Sequence, residues 1–148
     1  MNQLDKFNAK YPVQVELHIQ WGDMDAFNHV NNAIYFKYFE TARIAYFEKL
    51  GVMGFNTEDK VAPILAETNC RYKLPLNYPD TIIVGASIIE NHSHGFMMEY
   101  AVYSHQHKKT STIGTGRIVM LNYASHEKVD VDSGLLDKIG KIESHSLI

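Results

Sequence analysis

The amino-acid sequence predicts an α+β fold, an antiparallel five-stranded sheet curved around one long central helix. Three observations lead there. Residues 13–21 alternate without a break, with Val13, Val15, Leu17, Ile19 and Trp21 on one side and Gln14, Glu16, His18 and Gln20 on the other. That is the period of a strand with one wet face. Residues 32–50 hold neither proline nor glycine and close at Gly51, the pattern of a helix of about five turns with a glycine stop. Four more strand-like stretches follow, so helix and strands are segregated along the chain.

Each element has its own warrant. Residues 22–31 break the first alternation with Gly22, Asp23, Asp25 and Asn28 and read as a loop. Asn31 or Asn32 can cap the helix that follows. Within that helix, Lys37, Thr41 and Glu48 leave only a narrow polar stripe, which predicts a buried helix. After a short loop over Phe55–Lys60, residues Ile64–Leu74 alternate again and stop at Pro75. Thr81–Glu90 is apolar on both faces. Asn91–Gly95 turns the chain, Phe96–His105 pairs back, and Thr110–Tyr123 returns after Lys108–Lys109. The four strands are expected to follow one another as consecutive hairpins. Gly114 and Gly116 share a face, which predicts a close approach there by another element, with the helix as the candidate. Residues 134–140 suggest a short last helix, with a frayed tail after Lys141. Ile83 and Ile89 cannot share a face with Val84 and Ile88, so both sides of that strand need cover. A second subunit is the simplest cover.

Composition bounds the function. The chain has 148 residues, one domain spanning 1–148 at ordinary size. Hydrophobic residues make up 45% and the net charge is −3, enough for a core and the wrong sign for non-specific nucleic-acid binding. The lone Cys70 excludes an internal disulfide and a cysteine zinc cage. The opening MNQLDKF lacks the apolar stretch of a signal peptide, and no apolar run approaches the roughly 20 residues of a membrane span. A cytoplasmic protein is expected. Two histidine pairs, His92/His94 and His105/His107, have strand spacing, but they flank a strand whose ends are about 30 Å apart. No metal site is expected.

The stretch GDMDAFNHVNNAIYFKYFETAR, from Gly22 onward, resembles the signature of hot-dog-fold acyl-CoA thioesterases of the 4-hydroxybenzoyl-CoA thioesterase type. LAETNCRYKLPLNYPDTIIV is similar to the family's second and third strands around a Pro-Leu turn, and the strand–helix–four-strand order matches throughout most of the chain. Two positions depart. Asn28 stands where relatives commonly have glycine, and asparagine tolerates the left-handed conformation. Gln20 stands where relatives often carry arginine.

The resemblance implies a hot-dog fold and hydrolysis of an acyl thioester, presented on coenzyme A or acyl carrier protein, by a homodimer or homotetramer with no cofactor beyond the substrate. It points to Asp25 as nucleophile or general base and to the Asn32 backbone N–H as oxyanion donor. The residues permit that chemistry. A carboxylate precedes a helix start, where unpaired N–H groups and the positive end of the helix dipole lie together. Asp25 can equally be a helix-start carboxylate favoured by the dipole. Asp23 can tune Asp25 or serve its own turn. His29 can polarise the thioester or bond a loop carbonyl. Tyr35, Tyr38 and Phe39 can line an acyl slot or fill the core, and Glu40 and Arg43 can pair on the helix. Arg71, Lys73, Lys108 and Lys109 are candidates for the coenzyme A phosphates or simply solvated. Two other functions use the same groups. In an enoyl-thioester hydratase or dehydratase, Asp25 and His29 would move protons, and a non-catalytic binder would use the slot without turnover.

Overall fold

The computed structural model describes residues 2–53 and 60–144. In order these form α1 (Gln3–Lys10), β1 (Val13–His18), a 3-10 turn (Trp21–Asp23), α2 (Ile34–Leu50), β2 (Val61–Tyr72), β3 (Thr81–His92), β4 (Gly95–Ser104), β5 (Lys109–Asn122), β6 (Glu127–Lys128) and α3 (Ser133–Ser144). Every pairing is antiparallel. The strands run β1-β3-β4-β5-β2, with the two-residue β6 beside β5. This is the hot-dog arrangement: a curved sheet with one long helix packed on its inner face.

Two of the expected hairpins form, β3–β4 and β4–β5. The third does not. β2 pairs with β5, not with β3, with Thr68 opposite Gly116 and Cys70 opposite Gly114. The amides of Lys73 and Leu74 both donate to Ser111 O, and Ile19 N donates to Asp80 O. The connection therefore leaves the β2 edge and re-enters the sheet beside β1. Alternation reports which face a side chain takes but not which strand lies next to it, so the order escaped the sequence.

β1 ends at His18, short of the predicted Trp21. Asp23 Oδ2 accepts from Gln20 N at 3.2 Å and Asp23 N donates to Gln20 O at 3.0 Å. This local turn overrides the alternation and leaves Trp21 76% exposed.

α2 stops as expected. Gly51 takes φ 72°, and Val52 N donates back to Phe47 O, a left-handed glycine cap. Its inner side buries Tyr35, Tyr38, Phe39, Ala42, Tyr46, Phe47 and Leu50 against β3, β4 and β5. The helix is not buried all round, however. Phe36, Lys37, Glu40, Thr41 and Glu48 form an exposed stripe. Arg43 is buried yet satisfied. Its guanidinium lies 5.8 Å from the Tyr100 ring centre, donates to Tyr100 Oη at 3.3 Å and stands 3.7 Å from Glu40.

The glycines of β5 explain how closely helix and sheet meet. A Cβ on Gly114 would lie 2.5 Å from Phe39 Cε2 and 2.3 Å from Asn69 O. Phe39, fully buried, stacks on Tyr100 at 5.1 Å and 20°. At Gly116 the close neighbour is instead the Tyr100 ring, its hydroxyl 2.6 Å from the added carbon.

The outer face has a cover the sequence reading did not supply. α1 lays Phe7 and Tyr11 over Ala101 and Tyr103, with Leu4, Ile83 and Ile113 around them. Ile83 is thus partly covered from within the chain, while Ile89 stays 52% exposed. The helix was legible in a capping box: Asn2 Oδ1 accepts from Asp5 N at 2.8 Å, and the Asp5 carboxylate accepts from Asn2 N at 3.4 Å. Its eight residues were too few to show a clear period. Tyr11 Oη donates to Glu99 at 2.5 Å, and Lys10 pairs with the same carboxylate at 2.9 Å.

α3 is longer than expected and continues past Lys141. Leu135 and Ile139 enter the main core, and Lys138 Nζ donates to Leu50 O at 3.4 Å at the end of α2. Near its end, the Glu143 carboxylate accepts from Tyr46 Oη and, at 3.1 Å, from Ile88 N. The expected loop at Phe55–Asp59 and the last part of the tail lie outside the described residues.

Gly114→Ala is expected to destabilise the protein by about 1–3 kcal/mol through overpacking. Gly22→Ala, with nothing within 4 Å of the added carbon, should stay within about 0.5 kcal/mol. Thermal denaturation of the two variants checks both. Burial holds the Glu143 carboxyl above its ordinary value of 4.5, against the opposing hydrogen bonds from Tyr46 and Ile88. The folded state therefore keeps that proton more tightly than the unfolded chain. Its contribution to stability is full below pH about 4.5 and is lost as pH rises through the raised value. Denaturant titrations from pH 4 to 8 should show this slope in the wild type and its loss in Glu143→Gln.

Candidate active site

The loop after the 3-10 turn folds on itself. Met24 and Val30 form an isolated antiparallel bridge, Asp25 N donates to His29 O at 2.8 Å and Asn28 N to Asp25 O at 3.1 Å. Asn28 adopts φ 61°, a left-handed conformation that asparagine tolerates. Two bonds moor the loop to the segment after β2. Val30 N donates to Leu76 O at 2.8 Å, and Asn77 Nδ2 to Asn28 O at 2.7 Å.

The Asp25 carboxylate is oriented by its own loop. Oδ1 accepts from Phe27 N at 2.8 Å and from His29 N at 3.2 Å. Oδ2 finds no donor among the described residues. Asp23 serves its turn instead, with Oδ2 taking Gln20 N and, at 3.4 Å, Tyr38 Oη. Gln20 turns its side chain back, with Nε2 donating to His18 O at 3.1 Å.

Asn31, expected as a cap, instead forms a turn just ahead of α2, whose N-cap is Ala33 with no side-chain cap bond. Asn31 Oδ1 accepts from Ala33 N at 3.0 Å and its carbonyl from Ile34 N at 2.9 Å. The Asn32 N–H donates to no acceptor among the described residues. A carboxylate oxygen and a backbone amide, both unsatisfied, thus flank the positive end of α2.

They line one recess. A cavity of about 410 Å³ is walled by Asp25, His29, Val30, Asn32, Tyr35, Tyr72, Lys73, Leu74 and Pro75. Asp25, His29, Asn32, Tyr35 and Lys73 are therefore brought together. Tyr38, Phe39 and Arg71 are not on these walls. Phe39 is packed under Gly114, Tyr38 is buried with its hydroxyl on Asp23, and Arg71 is exposed on β2 opposite Ile113. Spacing on a helix could not separate them, because residues 35, 38 and 39 share a face and only the first reaches the recess. Tyr72, Val30, Leu74 and Pro75 were missed. Tyr72 lies forty residues from Asn32, yet its Oη donates to Asn32 O at 2.8 Å, and its ring meets Tyr35 edge-on at 5.0 Å. Burial raises the Tyr35 phenol above its ordinary range, and the Tyr72 phenol is pushed up to about 12 by burial and by Cys70. Both keep their protons in neutral solution.

Among the described residues no group of three histidine, cysteine or acidic side chains is placed to hold a metal. Lys108 and Lys109 belong to the turn at the start of β5 and do not wall the recess.

The class that this fold defines is the hot-dog thioesterase-like proteins. The pattern of the thioesterase-like superfamily matches residues 19–139, and the chain belongs to that family. It is 33% identical over 88 residues to YsmA of Bacillus subtilis (strain 168), an uncharacterized protein, a match covering 55% of this chain and 58% of that one. In structure it is similar to the PA2801 protein of Pseudomonas aeruginosa, with TM-score 0.77, 26% identity and coverage of 87% and 98% of the two chains. A thioesterase from Thermus thermophilus, complexed with coenzyme A and zinc, shares the fold, with TM-score 0.78, 24% identity and coverage of 91% and 97%.

Proposed function

We infer that this protein hydrolyses acyl thioesters of coenzyme A or acyl carrier protein, with Asp25 and the Asn32 N–H acting on the same carbonyl. One observation carries the reading. Asp25, with one carboxylate oxygen free, and Asn32, with its amide free, both wall one recess, inside a thioesterase-like fold. The carboxylate either attacks the thioester carbon or takes the proton of an attacking water. The carbonyl oxygen gains negative charge as the nucleophile adds to the carbon, the Asn32 amide with the helix dipole stabilises it, and the charge is lost again as the C–S bond breaks. On the water route the thiolate takes the proton that Asp25 removed. On the attack route the thiolate leaves an Asp25 acyl anhydride, which a water then hydrolyses to the free acid, its proton going to the thiolate. Val30, Leu74, Pro75 and the tyrosine rings supply an apolar wall for the acyl group, while Lys73 offers a cation to the phosphates of the carrier. His29 stands beside the carboxylate as a polarising donor.

Asp25→Asn should lower thiol release from a panel of acyl-CoAs by about 10²–10⁴-fold. Unchanged rates would end the assignment. Loss of enoyl absorbance without thiol release would select the hydratase reading, and tight binding without either would select the binder. Asn32→Pro removes the amide donor at a turn position ahead of the N-cap Ala33, where that N–H makes no bond among the described residues that proline would break. It should cost about 10²–10³-fold in kcat, and Asn32→Ala, which keeps the N–H, should retain most of the rate.

Self-association belongs to the same proposal. β2 is an edge strand of twelve residues with Ile64 41%, Leu65 36% and Tyr72 46% exposed, an open template for a second copy. Among the described residues no helix is long and apolar enough to cross a membrane, and a cytoplasmic site of action fits the free Cys70. Sedimentation should give a dimer or a tetramer, and Leu65→Lys should shift it toward monomer.

A further inference from the structure

We propose that Tyr72 is a positioning residue for the oxyanion donor: its hydroxyl, by holding the Asn32 carbonyl, fixes the peptide geometry that leaves the Asn32 amide free toward the recess. This rests on the hydrolytic reading above. The reason lies in two consecutive peptide units. The first carries Asn31 O and Asn32 N–H, and the second carries Asn32 O and Ala33 N–H. Three of these four groups are bonded. Asn31 O accepts from Ile34 N at 2.9 Å, Asn32 O from Tyr72 Oη at 2.8 Å, and Ala33 N–H donates to Asn31 Oδ1 at 3.0 Å. The fourth, Asn32 N–H, is the one left over, and Asn32 walls the recess beside Asp25.

The Asn32 carbonyl is available to Tyr72 because the first turn of α2 is tight. Phe36 N donates to Ala33 O at 3.3 Å, a 3-10 bond that skips the carbonyl an α-helical turn would have used. At this exposed position water could satisfy Asn32 O at little cost. A bond to a side chain on a sheet strand does something water cannot: it ties the helix start to the sheet. The Tyr72 ring is itself set by its edge-on contact with Tyr35. Loss of the hydroxyl would let the 32–33 peptide rotate and the neighbouring amide drift, while the rings that shape the recess stay in place. A shift of about 1 Å at a reacting group costs on the order of 10²-fold in rate.

The test uses the acyl-CoA that the wild type turns over fastest among acetyl-, palmitoyl- and benzoyl-CoA. Tyr72→Phe should lower kcat by roughly 10–100-fold, leaving KM and the melting temperature near wild type. A wild-type kcat, or a rise in KM with kcat unchanged, overturns the proposal. Asn31→Ala frees the other end of the same peptide unit. The double variant with Tyr72→Phe should therefore lose less than the product of the two single losses, and independent, multiplicative losses count against the shared-peptide account. Asp25→Asn separates the two levels of failure. If it stays fully active, hydrolysis through this site is wrong. If it is dead while Tyr72→Phe is untouched, only the positioning role falls.

Discussion

α2 can lie against the sheet only because β5 presents no side chain at Gly114, where the Phe39 ring and the Asn69 carbonyl would both collide with a methyl group. That missing carbon sets the depth of the helix. Phe39 then reaches Tyr100 and stacks on it, and Tyr100 receives the Arg43 guanidinium. Burying an aromatic ring of this kind is worth about 1.5–3 kcal/mol, and the buried arginine is tolerable because its charge meets a hydroxyl, a ring face and Glu40. The helix start, and with it the candidate site, inherits its position from this contact.

The site itself is built by backbone groups more than by side chains. Short bonds tie the Asp25 loop to itself, to residues 76–77 and to α2. Each removes a conformation the loop would otherwise sample. Two of the groups left without a partner among the described residues, an Asp25 carboxylate oxygen and the Asn32 amide, belong to residues that wall the same recess. That pairing suits a reaction that needs a nucleophile or base and an oxyanion donor, as thioester cleavage does.

The distant partners of this loop were beyond the reach of local patterns. The aspartate ahead of the helix and the tolerance of Asn28 for a left-handed turn were readable, since they depend on neighbours within a few residues, whereas the expected asparagine cap gave way to Ala33. Tyr72 was not. Its alternation marked it only as a strand residue, and nothing local says that its hydroxyl meets a carbonyl forty positions earlier. The same limit led to Tyr38 and Phe39 being weighed as slot residues. They share a helix face with Tyr35, but one turn further along that face is covered by the sheet.

By itself, the sequence determined most kinds of element and the end of the long helix: period-two strands, one long helix closed by Gly51, a polar loop with Asp25 before the helix start. These follow from steric and hydrogen-bonding rules that act over a few residues. Tertiary structure alone decided that β2 pairs with β5 across a crossover, that α1 packs over Ile83, and which residues wall the recess. Those outcomes depend on which surfaces meet after the chain has closed long loops, and contact between remote segments leaves no period in the sequence that encodes it.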